Sequence, residues 1–137
     1  MSRRVADITV LIVDDQPIYR SALADLLEIV GGYLVVGSAA SAEEAINAVQ
    51  RSPVDLVFMD LRLPGMDGLA ATRQIRSVTR APEVIIISTD VEALTSEELG
   101  TSGALEARAK AELDPEWLDG LRVRMRDRPR RRRPGRE

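Results

Sequence analysis

Short apolar runs alternate with segments of helical periodicity along most of the chain, and this alternation constrains the fold more than any other feature. The runs are continuous rather than alternately polar and apolar, and those at residues 8–13 and 83–87 are rich in β-branched side chains. Strands of this kind are buried on both faces, which is typical of a parallel sheet covered by helices. The pattern therefore predicts strand–helix units that build a parallel sheet.

Helix signals lie between the runs, and the length limits how they can be arranged. Pro17 occupies a first helical position, residues 91–99 have helical character, and Asp114 begins a last helix. A fifth strand is expected at residues 104–109, although ALEARA favours helix and has no β-branched residue. We predict a single α/β domain, a flavodoxin-like, doubly wound, five-stranded parallel sheet in the order 2-1-3-4-5.

The composition excludes several kinds of site. The chain has no cysteine and no histidine, so it has no disulfide, no thiolate or imidazole metal ligand and no phosphohistidine of its own. No stretch approaches the roughly 18 apolar residues that a membrane span requires. The apolar run behind the basic N-terminus leads into two acids instead of a cleavage site. We expect a cytoplasmic protein that does not associate with membranes.

The charge is distributed unevenly along the chain. Residues 122–137 contain nine arginines and two acids, a charge of +7, so residues 1–121 carry −10 of the overall −3. We predict one domain over residues 1–121, with its core at about 7–120, and a disordered Arg-rich tail over residues 122–137. Clustered arginines favour binding to the phosphates of nucleic acid. The tail, however, has no aromatic side chains for stacking on bases, so we disfavour nucleic acid as a partner.

Polar side chains of complementary chemistry follow the predicted strands. They are Asp14 and Asp15 after the first run, Asp60 after the third, Ser88 after the fourth and Lys110, the only lysine of the chain, after the fifth. The carboxyl ends of parallel strands meet at one edge of a sheet, so these groups should converge. Clustered carboxylates favour a hard cation such as Mg²⁺. The ammonium and the hydroxyl suit a phosphoryl group, and the acid at position 60 is the natural nucleophile.

Each of these residues also has a simpler interpretation. Asp14 and Asp15 could be solvated loop acids, and Asp60 could be an acid that precedes a turn. Ser88 could bond its own backbone. Lys110 could be an ordinary surface lysine, although arginine is the default cation of this chain. The joint order of acid pair, acid, hydroxyl and lysine favours the common site.

Four segments carry a resemblance to a known family: VLIVDDQP, VDLVFMDLRLPGMDG, VIIIST and GALEARAKAEL. In these segments the chain is similar to the receiver domains of two-component response regulators. VDDQPIYRSAL and MDLRLPGMDGLAATRQIR are closest in character to the receivers of LuxR-type regulators. The resemblance covers roughly residues 7–120.

The resemblance implies a phosphoacceptor with a metal ion. Asp60 would accept a phosphoryl group from a histidine kinase or a phosphotransfer protein. Asp15 would bind Mg²⁺ directly together with Asp60, Asp14 would act nearby or through water, and the backbone carbonyl of Arg62 would complete the protein ligands. No enzyme activity is implied beyond slow self-phosphorylation and self-dephosphorylation.

It also implies roles for the residues around the phosphoryl group. Ser88 and Lys110 would contact it. Separately from the resemblance, Arg62 and Asp90 each lie two residues after a predicted site residue, and Thr89 lies beside Ser88. Our hypothesis is that these three flank the phosphoryl group and tune the lifetime of the acyl phosphate; the alternative is that Arg62 and Asp90 are exposed and unpaired. Phosphorylation would switch contacts with a downstream protein or with a second copy of the chain, through the fourth helix and fifth strand.

Two departures from the family pattern leave alternatives open. Ala107 stands three residues before the lysine, where the family usually has an aromatic switch residue, and Ala111 stands where a proline often follows. A phosphate-independent adaptor, or pseudo-receiver, is therefore an alternative, as is the front part of a DNA-binding response regulator. A phosphatase of the aspartyl-phosphate type is disfavoured, because Arg62 replaces its second acid.

Overall fold

The computed structural model describes residues 7–127, and its elements alternate between strand and helix. The strands are β1 (Ile8–Val13), β2 (Tyr33–Ala39), β3 (Leu56–Asp60), β4 (Glu83–Ser88) and β5 (Glu106–Ala109). The α-helices are α1 (Pro17–Val30), α2 (Ala42–Arg51), α3 (Gly68–Arg76), α4 (Ser96–Ser102) and α5 (Pro115–Asp127). Short 3-10 turns lie at Val91–Ala93 and Lys110–Glu112.

The strands form one parallel sheet in the order β2-β1-β3-β4-β5, which confirms the predicted doubly wound fold. One apolar cluster joins one face of the sheet to α1 and α5, with Leu27, Phe58 and Leu118 among its fully buried members. A second cluster joins the other face to α2, α3 and α4, and it includes Ile75 and Ile86. Full burial of such a side chain contributes about 1.5–3 kcal/mol, so these two layers hold the strand ends in place.

The fourth helix differs from the prediction. Residues 91–99 were expected to form one helix, but the chain makes a 3-10 turn, Val91–Ala93, and then starts α4 at Ser96. A complete capping box explains the new start, because the Thr95 hydroxyl accepts from the backbone N–H of Glu98 and the Glu98 carboxylate accepts from the backbone N–H of Thr95. The predicted single helix over residues 91–99 was wrong, because this capping box begins a separate helix.

β5 is a strand, as predicted from its position and against its helical propensity. It pairs with β4, with Ala107 opposite Ile86, and all four of its residues are half-buried. Arg108 lies over the ring of Trp117 in α5, with its guanidinium carbon 4.8 Å from the ring centroid. The pairing with β4 and this contact with α5 override the local preference for helix.

The last helix extends beyond the predicted end of the domain. α5 runs to Asp127, so residues 122–127, which were assigned to a disordered tail, are helical in the structure. Arginine is a good helix former, and the apolar stripe of Leu118 and Leu121 continues to the half-buried Met125, which explains the extension. The rest of the predicted tail, residues 128–137, lies outside the described residues. Within residues 7–127, no helix is both long and apolar enough to cross a membrane.

Candidate functional site

The sheet places the predicted site residues along one edge. Asp14 follows β1, Asp60 is the last residue of β3, Ser88 is the last of β4, and Lys110 directly follows β5. The strand register aligns these carboxyl ends: Asp60 is paired with Ile87, and Ser88 is paired with the residue that precedes Lys110. Side chains that are far apart in the sequence therefore meet at the carboxyl edge of the sheet.

Three carboxylates gather at this edge. Asp14, Asp15 and Asp60 each offer one oxygen, and these oxygens all lie within 4.8 Å of one another. Asp14 is fully buried and Asp60 is only 6% exposed, whereas Asp15 is open to solvent. Hard oxygen donors with one open side suit Mg²⁺, which keeps several of its waters. The donor set therefore fits this ion.

The only lysine of the chain reaches into the acidic cluster. The Lys110 ammonium nitrogen is 2.6 Å from Oδ2 of Asp14 and 3.7 Å from Oδ2 of Asp60, and its side chain is 12% exposed. Because the Asp14 contact is much the shorter, Asp14 is the hydrogen-bonded partner of the ammonium and Asp60 is a neighbour. A positive charge thus stands beside the acid that was predicted to be the nucleophile.

Backbone contacts hold the two inner acids. The Asp14 carboxylate accepts from the backbone N–H of Gln16 at 2.8 Å, and the main-chain oxygen of Asp14 accepts from the Arg20 guanidinium at 2.6 Å. The Asp60 carboxylate accepts from the backbone N–H of Arg62 at 3.2 Å. The oxygen of Asp60 that faces Lys110 is the other one, Oδ2. Each inner acid therefore has one oxygen bound by its own loop and one turned toward the ammonium.

The surroundings of Asp60 favour its protonated form. Burial raises the pKa of Asp60 above its ordinary value of 3.8, and the negative charge of Asp14 raises it further. The Lys110 ammonium and the Arg62 N–H act in the opposite direction without outweighing burial and repulsion. A divalent cation would relieve this unfavourable concentration of negative charge.

The loop after β3 lies close to the backbone of Asp60. The N–H of Gly68 donates to the carbonyl of Leu61 at 2.9 Å, and a Cβ at position 68 would lie 2.3 Å from the carbonyl oxygen of Asp60. Only glycine fits there. Asp67 then caps α3 by accepting from the backbone N–H of Ala70 at 2.9 Å. The sequence MDG thus fixes the start of α3 against the end of β3.

The hydroxyl at the end of β4 is engaged locally. Ser88 is almost fully buried, and its Oγ accepts from the backbone N–H of Asp90 at 3.1 Å. This is the local bond that the simpler interpretation of Ser88 anticipated. Thr89 and Asp90 are exposed, as is Arg62 on the loop after β3. These three side chains are therefore accessible beside the acidic cluster.

Residues 10–117 match the family described as the response regulator receiver domain. The chain belongs to this family. Its likeness to the receivers of LuxR-type regulators is confirmed as well. A crystal structure of a LuxR-family two-component response regulator from Aurantimonas sp. SI85-9A1 is 32% identical in sequence, with a TM-score of 0.76, and the match covers 93% of this chain and 90% of that one.

Two further relatives extend the comparison. Response regulator UvrY of Escherichia coli (strain K12) is 32% identical over 115 residues, which are 84% of this chain and 53% of the relative. The chain thus spans about half the length of that relative. The receiver domain of sensor histidine kinase PA1611 from Pseudomonas aeruginosa PAO1, whose structure holds a magnesium ion in the active site cleft, is 26% identical. That match has a TM-score of 0.75 and covers 88% of this chain and 98% of the other.

The position three residues before the lysine of this receiver carries no aromatic ring. Ala107 lies in β5, half-buried, and packs against the cluster on the α3 and α4 side of the sheet. Ala111 lies in the 3-10 turn that Lys110 begins. The residues from 7 to 127 contain no cis peptide bond.

Sequence reasoning about this receiver missed Tyr19. The Lys110 ammonium lies 4.4 Å from the centroid of its ring. Burial raises the pKa of the Tyr19 hydroxyl to about 12, and the charges of Asp14 and Asp60 contribute to the shift. One signal could have found it. Side chains in the first turn of a helix point toward its N-terminus, and the N-terminus of α1 adjoins the acid pair.

Proposed function

We propose that this receiver accepts a phosphoryl group on Asp60 from a phosphohistidine of a histidine kinase or phosphotransfer protein, and that the modification switches its protein contacts. The observation that carries the proposal is the placement of one nearly buried carboxylate. It lies 3.7 Å from a lysine ammonium and within 4.8 Å of two further acids. The receiver family of the chain supports the same chemistry.

The reaction uses Asp60 as the nucleophile. A carboxylate oxygen forms a bond to phosphorus as the bond from phosphorus to the donor imidazole nitrogen breaks, and the electron pair of that bond stays on the nitrogen. The Lys110 ammonium then offsets the negative charge on the transferred group. We further propose that the Ser88 hydroxyl leaves its local bond with Asp90 to donate to a phosphoryl oxygen.

We propose that Mg²⁺ is bound by Asp15, by Asp60 and by the backbone carbonyl of Arg62, with Asp14 acting nearby or through water. The three clustered carboxylates and the raised pKa of Asp60 support a cation here. The magnesium ion in the related receiver domain of PA1611 supports the same assignment. When bound, Mg²⁺ would neutralise the acids and the incoming phosphoryl oxygens.

We propose that the exposed side chains of Arg62, Thr89 and Asp90 tune the lifetime of the acyl phosphate by controlling the access of water. All three are exposed, and each follows Asp60 or Ser88 within two residues along the chain. Decay of phosphorylated protein should therefore change in Arg62→Ala and in Asp90→Ala. Unchanged half-lives in both variants would contradict this role.

The proposed output is a change of protein contacts, in the cytoplasm. Phosphorylation adds up to about one further negative charge at the end of β3, which would bias the surface formed by α4 and β5. The partner that binds the altered surface would be a downstream protein or a second copy of the chain. The only catalysis that we propose is slow self-phosphorylation and self-dephosphorylation.

Ala107 favours a second candidate function, a phosphate-independent adaptor. Without an aromatic ring in β5, the link from the site to the outer surface that is usual in the family is missing. Beryllofluoride, which mimics the acyl phosphate, separates the two candidates. Chemical-shift changes in β5 with Mg²⁺ and beryllofluoride favour the switch, and their absence favours the adaptor.

Mass spectrometry after incubation with acetyl phosphate and Mg²⁺ tests the proposed phosphorylation. We expect the wild type to gain the mass of one phosphoryl group, Asp60→Asn to gain none, and Asp25→Asn, which alters an exposed acid of α1, to behave as wild type. Equal labelling of Asp60→Asn and wild type would contradict the proposal that Asp60 accepts the phosphoryl group.

A further inference from the structure

The Lys110 ammonium has a third neighbour besides two acids, and this neighbour comes from another part of the fold. Asp14 and Asp60 are 2.6 and 3.7 Å from it, and the ring centroid of Tyr19 is 4.4 Å away. A cation over an aromatic ring is attracted by the negative face of the ring. The ammonium therefore has two carboxylates and one uncharged aromatic ring as neighbours.

The ring is held firmly relative to the acid pair. Tyr19 is the third residue of α1, and Pro17 fixes the first turn of that helix. The Asp14 carboxylate accepts from the N–H of Gln16, and its carbonyl accepts from Arg20, so the turn that carries Tyr19 is bonded on both sides to Asp14. The position of the ring is therefore set by β1 and α1, not by β5.

The lysine itself has weaker support. It follows β5, whose four residues are only half-buried and include no β-branched side chain. Four flexible methylene groups separate its backbone from its charge, so many rotamers compete with the one that reaches the site. The Asp14 contact alone would hold the ammonium away from Asp60, since it is the shorter of the two.

We propose that Tyr19 is a positioning residue whose ring face keeps the Lys110 ammonium above the site, within reach of a phosphoryl group on Asp60. The proposal rests on the phosphoacceptor function proposed above. It assigns a specific task to an α1 side chain, and that task needs the aromatic ring rather than the hydroxyl.

A single lysine makes this contact measurable without phosphorylation. Protein labelled with ¹³C in lysine gives signals from Lys110 alone, and protons held over an aromatic ring are shifted by its ring current. We expect Tyr19→Leu to move the Lys110 side-chain signals to the values of a lysine away from any ring, and Tyr19→Phe to leave them near wild type. Tyr33→Phe serves as a control, because it removes a buried hydroxyl that donates to the Leu118 carbonyl without touching Lys110.

The same variants are then phosphorylated with acetyl phosphate and Mg²⁺, with backbone amide spectra confirming that each is folded. We expect the rate to fall roughly tenfold in Tyr19→Leu and to stay within about twofold of wild type in Tyr19→Phe and Tyr33→Phe. Rescue by phenylalanine distinguishes positioning by the ring face from a role of the phenol.

Three results would overturn the role of Tyr19: unmoved Lys110 signals in Tyr19→Leu, moved signals with an unchanged rate, or a Tyr19→Phe variant as slow as Tyr19→Leu. A wild type that takes up no phosphoryl group is a different failure. In that case the proposed function falls, and the role of Tyr19 in it falls as well.

Discussion

β4 and β5 each deliver one side chain to the site, but they are built in opposite ways. All six residues of β4 are buried, and its run of isoleucines would form a strand in almost any sheet. β5 has four residues, all half-buried, and a sequence that favours helix. Ser88 therefore stands on a strand supported by its own side chains, whereas Lys110 follows a strand supported by its neighbours.

This difference predicts which of the two strands is the more mobile. Segments with few buried apolar contacts open locally at lower free energy than the core strands. We therefore expect the amides of β5 to exchange with solvent faster than those of β4. Asp60 thus lies at the end of a fully buried strand, and Lys110 follows the half-buried edge strand, which we expect to open more readily.

The largest effect should come from truncating the strong strand. Ile86 is fully buried in β4, so Ile86→Ala should lower the free energy of unfolding by about 3–4 kcal/mol, through lost apolar burial and a residual cavity. Urea denaturation measures this loss. An alanine already occupies the opposite position in β5, Ala107, so Ala107→Gly is the matched control and should cost about 1 kcal/mol. Equal losses would remove the contrast between the strands.

Removing the ammonium should have the next largest effect. Lys110→Met keeps much of the apolar stem but leaves the fully buried Asp14 carboxylate without its cation. We expect a loss of about 2 kcal/mol without Mg²⁺, somewhat below the cost of breaking a fully buried pair, because the Lys110 side chain is 12% exposed. Lys110→Arg is the control that retains the charge. A stability for Lys110→Met equal to wild type would mean that the ion pair contributes nothing.

Neutralising Asp60 should act in the opposite direction. Asp60→Asn removes a negative charge that burial and Asp14 disfavour, so it should stabilise the metal-free protein by about 1 kcal/mol at pH 7. Because folding raises the pKa of Asp60, wild type regains stability as pH falls toward the ordinary value of 3.8, and the advantage of the variant should shrink. Thermal unfolding of both proteins from pH 7 down toward 3.8 measures this difference in stability. A constant or growing advantage at low pH would contradict the assignment.

The smallest effect should come from improving the weak strand. Ala107→Val introduces a β-branched residue into β5 and should raise the unfolding free energy by about 0.5 kcal/mol. Hydrogen exchange of the β5 amides, compared with those of β4, shows whether the gain is local. Faster exchange in β5 after the substitution would indicate that the packing beside α4 does not accept the larger side chain.

The central sheet could be predicted because its signals are local. The continuous apolar runs of β1, β3 and β4 and the prolines and glycines between elements identify strands and turns before any packing is considered. The convergence of Asp14, Asp60 and Lys110 also followed, since parallel strands with level ends leave few alternatives.

The wrong boundaries are of a different kind from the missed contacts. Thr95 with Glu98 three residues later is a capping-box pattern that marks the start of α4, and Met125 continues the apolar stripe of α5, so both boundaries can be read from the sequence. The preference of Lys110 for Asp14 over Asp60 and its contact with Tyr19 depend on distances between separate elements. No spacing rule specifies them.

The single tryptophan of the chain gives this receiver a built-in optical probe. Trp117 lies on α5 with the guanidinium of Arg108, a β5 residue, against its ring. The emission of an indole depends on the charges beside it, so a displacement of β5 relative to α5 should change the fluorescence of the unlabelled protein. The intrinsic fluorescence of Trp117 can thus report movement of β5 in real time, for instance while acetyl phosphate and Mg²⁺ are added.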